Sequence, residues 1–139
     1  MLLDDEGFAI LEEDECFELL ASGSIGRVGV SIGAIPAIFP VNFCLSDRTI
    51  FFRTAPGTKL SAALREADVA FEVDRADAIY HQGWSVLAVG RCHEVTEEAE
   101  LEQVKSLPLE PWAPGNRSHV IRMDPDFVSG RRIVSAPHP

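Results

Sequence analysis

Residues 35–45 alternate over their whole length, with Ala37, Phe39, Val41, Phe43 and Leu45 on one face and Pro36, Ile38, Pro40, Asn42 and Cys44 on the other. Period-two alternation marks a strand, because successive side chains of an extended chain point to opposite sides. Proline has no N–H to give to a ladder. A strand carrying Pro36 and Pro40 therefore belongs at the edge of a sheet or is bulged near those residues. Asn42 becomes the notable polar group beside an interrupted ladder.

The flanking segments alternate too. Residues 26–31 place Val28 and Val30 opposite Arg27 and Gly29, and Gly29 would let another backbone or a flat ligand come close. Ser46-Asp47-Arg48 reads as a tight hairpin loop into residues 49–54, where Ile50, Phe52 and Thr54 oppose Phe51 and Arg53. Residues 69–74 turn Val69, Phe71 and Val73 inward. Residues 75–83 are polar and turn-prone and read as a loop with functional room. Residues 84–95 form a long strand whose apolar character on both faces indicates burial on both sides. A last strand runs over 119–123, bends at Asp124-Pro125 and resumes from Phe127 toward Ile133.

Three short helices interrupt these strands. Residues 14–22 are amphipathic with acids at the start, and Gly23 is placed to stop them. Thr58 caps a second helix carrying Leu60, Ala63, Leu64 and Ala67, and Thr96 caps a third that Pro108 closes. A proline-rich loop over 108–116 carries Trp112, and the tail 135–139 frays. Six mostly antiparallel strand segments without regular strand-helix alternation fit a small closed barrel better than a doubly wound sheet. The expectation is a single domain over 1–139, mainly β (α+β), a six-stranded antiparallel barrel with short flanking helices.

One junction carries chemistry. Ala55-Pro56-Gly57 breaks the strand after Arg53 and Thr54, and Lys59 sits in the first turn of the following helix, where a cation opposes the macrodipole. Arg53, Thr58, Lys59 and the free N–H groups of the helix start could together hold one phosphate. The plainer reading is a Thr58 cap with two solvated cations. The sequence does not spell a P-loop.

The net charge of -10 argues against general nucleic-acid binding, so an anion must be held by focused groups such as these. The N-terminus lacks a basic segment leading into an apolar one, and no apolar run approaches membrane-spanning length. A cytoplasmic protein without a membrane partner is the expectation. Cys16, Cys44 and Cys92 are widely spaced, with no histidine at metal-ligand spacing, which predicts buried free thiols and no metal site.

Taken in order, Gly26-Arg27-Val28, Pro40-Val41-Asn42-Phe43, Phe52-Arg53-Thr54-Ala55-Pro56-Gly57-Thr58-Lys59, residues 69–74, Gly83-Trp84-Ser85-Val86 and Gly130-Arg131-Arg132 cover nearly the whole chain. This ordered set resembles the pyridoxamine 5'-phosphate oxidase-like, FMN-binding split β-barrel superfamily, in particular its short flavin-nucleotide-binding group. The resemblance implies a homodimer with two FMN molecules at the subunit interface. The phosphate would lie at the loop from Arg53 to Lys59, including Thr54 and Thr58. Pro40, Val41 and Asn42 would line the isoalloxazine, and Trp84 and Ser85 would complete the pocket.

Trp84 reads equally as a core residue, Trp112 as packing, Arg27 as an ion-pair partner, and His81 and His93 as surface or strand-face residues. No catalytic acid, base or nucleophile stands out, as suits chemistry carried by a cofactor. The chain is shorter than the full-length vitamin oxidases and lacks the C-terminal segment that helps hold their pyridoxal phosphate substrate. The expected function is an FMN-dependent oxidoreductase acting on a small organic molecule. The alternatives are a reductase using 8-hydroxy-5-deazaflavin, a non-catalytic flavin carrier, a haem-binding barrel, and a dimeric barrel without cofactor.

Overall fold

The computed structural model describes residues 2–65, 68–109 and 119–134. In chain order the elements are β1 (Ala9–Ile10), α1 (Glu13–Ala21), β2 (Ile25–Ile32), β3 (Ile35–Ser46), β4 (Thr49–Thr54), α2 (Lys59–Ala63), β5 (Val69–Asp77), β6 (Gln82–Gly90), β7 (Cys92–Glu94), α3 (Glu98–Lys105), β8 (His119–Met123) and β9 (Phe127–Arg132). The strands form one antiparallel sheet in the order β1-β9-β6-β5-β2-β3-β4-β8-β7. The class is mainly β, as expected.

The closed six-stranded barrel is corrected: among the described residues the sheet has nine strands and two open ends, β1 and β7. The segment 84–95, which reads as one strand, is cut in two, and the last segment breaks at the bend read at Asp124-Pro125. Arg91 separates β6 from β7, and residues 124–126 separate β8 from β9. The two breaks lie against each other. The Asp126 N–H donates to the Val89 carbonyl at 2.9 Å, and a Cβ on Gly90 would stand 2.7 Å from the Asp124 carbonyl oxygen. Only glycine lets the backbones approach so closely. Before the bend β6 pairs with β9, and after it β7 pairs with β8.

Other departures are local. Residues 75–83 are not a loop, because β5 and β6 stay in register out to Asp77 opposite Gln82 and make a hairpin arm. Its polar, exposed residues carry no burial pattern, so only the backbone ladder defines it. The third helix is capped by Glu97 without a side-chain bond, one residue beyond Thr96. The α2 helix ends at Ala63 with Leu64 as its cap, while Ala67, Trp112 and the tail 135–139 lie outside the described residues.

The main core fills the space between the sheet's inner face and α1, around Phe43, Phe52, Phe71, Leu20, Ile50 and Val28. Phe43 meets the Phe71 ring edge-on at a centroid distance of 4.9 Å. A smaller core gathers Cys44, Phe51, Val95, Val104, Leu109 and Val120 under α3. The alternation of β4 explains both, since Ile50 and Phe52 enter one core and Phe51 the other. All three cysteines are free and buried, and burial pushes the Cys92 thiol up to about 12.

Candidate functional site where β3 and β4 part

β2 and β3 pair without a bulge from Ile25–Asn42 to Ile32–Ile35. On its other side β3 pairs with β4 only from Phe43–Phe52 to Ser46–Thr49. The stretch from Ile35 to Val41 therefore has no second strand beside it among the described residues, and the edge position that Pro36 and Pro40 suggested is where the structure puts them. One residue beyond the last pair, Asn42 and Arg53 flank the point where the two strands separate.

From that point β4 runs into the cationic loop. The Thr58 hydroxyl accepts the Ser61 N–H at 3.1 Å and donates to the Ala55 carbonyl at 3.1 Å, closing the turn and capping α2. The N–H groups of Lys59 and Leu60, in the first turn of a helix, have no intrahelical acceptor. Lys59 is exposed and makes no ion pair among the described residues. The Arg53 Nε–H donates to the Leu109 carbonyl at 3.0 Å, which fixes the guanidinium against the α3–β8 connection. Thr54 is only 1% exposed, and its hydroxyl has no hydrogen-bond partner among the described residues. A buried hydroxyl left unpaired is costly, so its retention beside this loop calls for an explanation.

The structure thus brings Pro40, Val41 and Asn42 together with Arg53, Thr54, Thr58 and Lys59. It sets Trp84 and Ser85 apart. Both lie on β6, three strands from β3 by way of β2 and β5, or about 14 Å across the sheet. Asn42 and Ser85 face the same side in one row, through Ile25 and Asp74. Trp84 faces the other way and packs against the main core.

Arg27 makes the ion pairs read for it, Nη1 standing 3.3 Å from Glu72 and 3.5 Å from Asp74. His81 takes a positive φ of 50° in the hairpin turn, and His93 is exposed on β7.

Two features were missed. The first is the chain of polar contacts beside Thr54. His119 pairs opposite Thr54, its Nδ1 lies 3.3 Å from Glu94, and Glu94 lies 3.7 Å from Arg65. The second is Glu72. Burial, aided by Asp74, raises its carboxyl to about 7 against the pull of Arg27. Pairings across tens of residues create both, and no local motif signals them. Among the described residues there is no cluster fit to hold a metal, and no helix is long and apolar enough to cross a membrane.

The comparisons agree with this architecture. A family model described as pyridoxamine 5'-phosphate oxidase matches residues 12–132. The chain is 38% identical over 130 residues to an uncharacterized protein of Mycobacterium tuberculosis, covering 90% of this chain and 85% of that protein. It is similar in structure to an FAD binding protein from Mycobacterium smegmatis, with a TM-score of 0.77 and 38% identity over 89% of this chain and 97% of the other. A conserved protein of unknown function from Corynebacterium diphtheriae is similar too, with a TM-score of 0.76 and 37% identity over 91% and 98% of the two chains.

Proposed function

The chain belongs to the pyridoxamine 5'-phosphate oxidase family, and on that premise we propose that it binds a flavin nucleotide where β3 and β4 part and serves as a flavin-dependent oxidoreductase for a small organic molecule. The observation that carries this reading is the meeting of a free strand edge with a cationic loop. Arg53, Lys59 and the first N–H groups of α2 make a donor set suited to a phosphate, and the unpaired Thr54 hydroxyl lies buried on the opposite face of β4 at the same strand end. The edge at Pro40 and Val41 faces a flat heterocycle, with Asn42 at its end. A bound flavin supplies hydride or electron transfer at its ring. The protein's share is to hold the phosphate, orient the ring against β3 and keep water from one side of it.

Both FMN and FAD carry the phosphate this loop fits. The similarity to a protein described as FAD binding, at 38% identity, makes FAD a second candidate beside FMN. A second copy of the chain completes the pocket and brings its own outer sheet face, with Ser85, toward the ring.

The test is the visible spectrum of the purified protein, followed by titration with FMN, FAD and 8-hydroxy-5-deazaflavin. Retention of one flavin per chain is expected. Changing Arg53 and Lys59 to Ala together should weaken it by at least about a hundredfold, because charge-assisted bonds contribute about 1.5–3 kcal/mol each. Unchanged affinity in that double variant moves the phosphate elsewhere. A Soret band, or binding of the deazaflavin alone, replaces the flavin reading.

A further inference from the structure

Among the described residues two buried side-chain atoms lack a hydrogen-bond partner, the Thr54 hydroxyl and His119 Nδ1. They belong to residues directly opposite each other on β4 and β8, so both side chains stand on the same, inner face of the sheet. Buried polar atoms left unpaired cost stability, and here two of them face each other at the root of the phosphate loop.

Glu94, at the end of β7, reaches toward this pair and toward the far end of the loop segment. One of its carboxylate oxygens lies 3.3 Å from His119 Nδ1 without making a hydrogen bond, and the other lies 3.7 Å from Arg65, two residues past α2. The segment from Ala55 to Leu64 is thus flanked at both ends by residues of β7 and β8. On the outer face the Leu109 carbonyl, between α3 and β8, takes the Arg53 Nε–H. α2 has five residues, too few to keep its place by its own hydrogen bonds. Its packing through the buried Leu64 and the contacts at its two ends therefore set where Lys59 stands relative to Arg53.

Beside a carboxylate, Nδ1 is the nitrogen that carries the imidazole proton, because a lone pair there would repel Glu94. That N–H has Glu94 as an acceptor on one side and the Thr54 hydroxyl across the strand pair on the other, and it is bonded to neither. We propose that His119 and Glu94 are positioning residues that latch the phosphate loop from beneath. As the loop closes on a flavin phosphate, Thr54 settles onto the Nδ1–H of a ring steadied by Glu94, and Glu94 keeps Arg65 and the end of α2 against β7. The inference rests on the phosphate reading given above, and both residues act through the loop rather than on the flavin.

The experiment compares the flavin nucleotide that the purified chain retains, FMN or FAD, with riboflavin, which has the same ring and no phosphate. His119→Leu and Glu94→Ala should each weaken the nucleotide by about fivefold or more and leave riboflavin within about twofold. His119→Asn, whose amide stands where Nδ1 stood, should restore most of the loss. The Glu94–Arg65 pair is partly exposed and adds little stability, so Glu94→Ala should stay folded by circular dichroism. Independently of affinity, an imidazole N–H proton that is absent from His119→Asn should become protected from exchange in the downfield proton spectrum when the nucleotide is added, and not with riboflavin. Nucleotide affinity unchanged in both variants, equal losses for nucleotide and riboflavin, or no such proton signal overturns the latch and leaves the phosphate loop standing. A wild type that holds riboflavin as tightly as the nucleotide overturns the phosphate reading and the latch with it, and one that binds no flavin at all overturns the flavin reading as well.

Discussion

Glu72 shows how much one side chain can depend on a pairing. It sits 45 positions from Arg27, and only the β2–β5 register brings them to 3.3 Å. Burial first, and then Asp74, raise the carboxyl from 4.5 to about 7. Between those values the folded chain keeps a proton that the unfolded chain has lost. Stability therefore falls as pH rises through that window and levels off above it. Glu72→Gln should remove that slope, gaining about 1 kcal/mol at pH 8 and almost nothing at pH 4.5, the gain reduced because the side chain is partly solvated. Thermal melts of dilute protein across this range check it; an unchanged slope would assign the pH dependence to other groups. Arg27 was legible as an ion-pair former from its outward place on an alternating strand. Its partners were not, because alternation gives a face and says nothing of which strand lies alongside.

Among the elements, local chemistry was legible wherever it was self-contained. The prolines of β3 declared an edge, Thr58 declared a helix start, and Asp47 with Arg48 made the two-residue turn between β3 and β4. The long strand over 84–95 misled, because its break depends on residues more than thirty positions away. Gly90 is open to the Asp124 backbone, and Arg122 ties that bend down by pairing with Asp124 at 2.8 Å and with Glu100 on α3. Gly90→Val should therefore push the bend apart and cost about 1–3 kcal/mol, as overpacking does. Chemical denaturation would measure the loss, with hydrogen exchange at Val89 and Asp126 rising first. Protection unchanged at both sites would show that the bend is held without the close approach. In the site itself, the loop from Arg53 to Lys59 and the β3 edge were legible as separate motifs. Their meeting followed from the short β3–β4 hairpin, whose ladder ends at Phe43 and Phe52.

At the scale of the molecule, the three rings of Phe43, Phe52 and Phe71 join β3, β4 and β5 in the middle of the sheet order. Gly26 is empty to admit Phe71, whose ring would stand 2.3 Å from an added Cβ. Phe71→Ala should cost about 3–5 kcal/mol, a large share of the stability of a domain this size. Calorimetry should show one cooperative transition at lower temperature; two transitions would mean that the two cores melt separately.

The last strand has a consequence for how the chain comes into being. β9 is the partner of β1 and the outer partner of β6, and it is also bound to α1 through Arg132 and Glu15 at 3.0 Å. A nascent chain or clipped fragment that stops short of β8 leaves β1, β4, β6 and β7 with bare edges and α1 without its seat. Such a piece is a template for pairing with other chains, the form that proteases and chaperones recognise. Arrival of the C-terminal strands thus acts as a completeness check, separating finished molecules from truncated ones before any cofactor is involved.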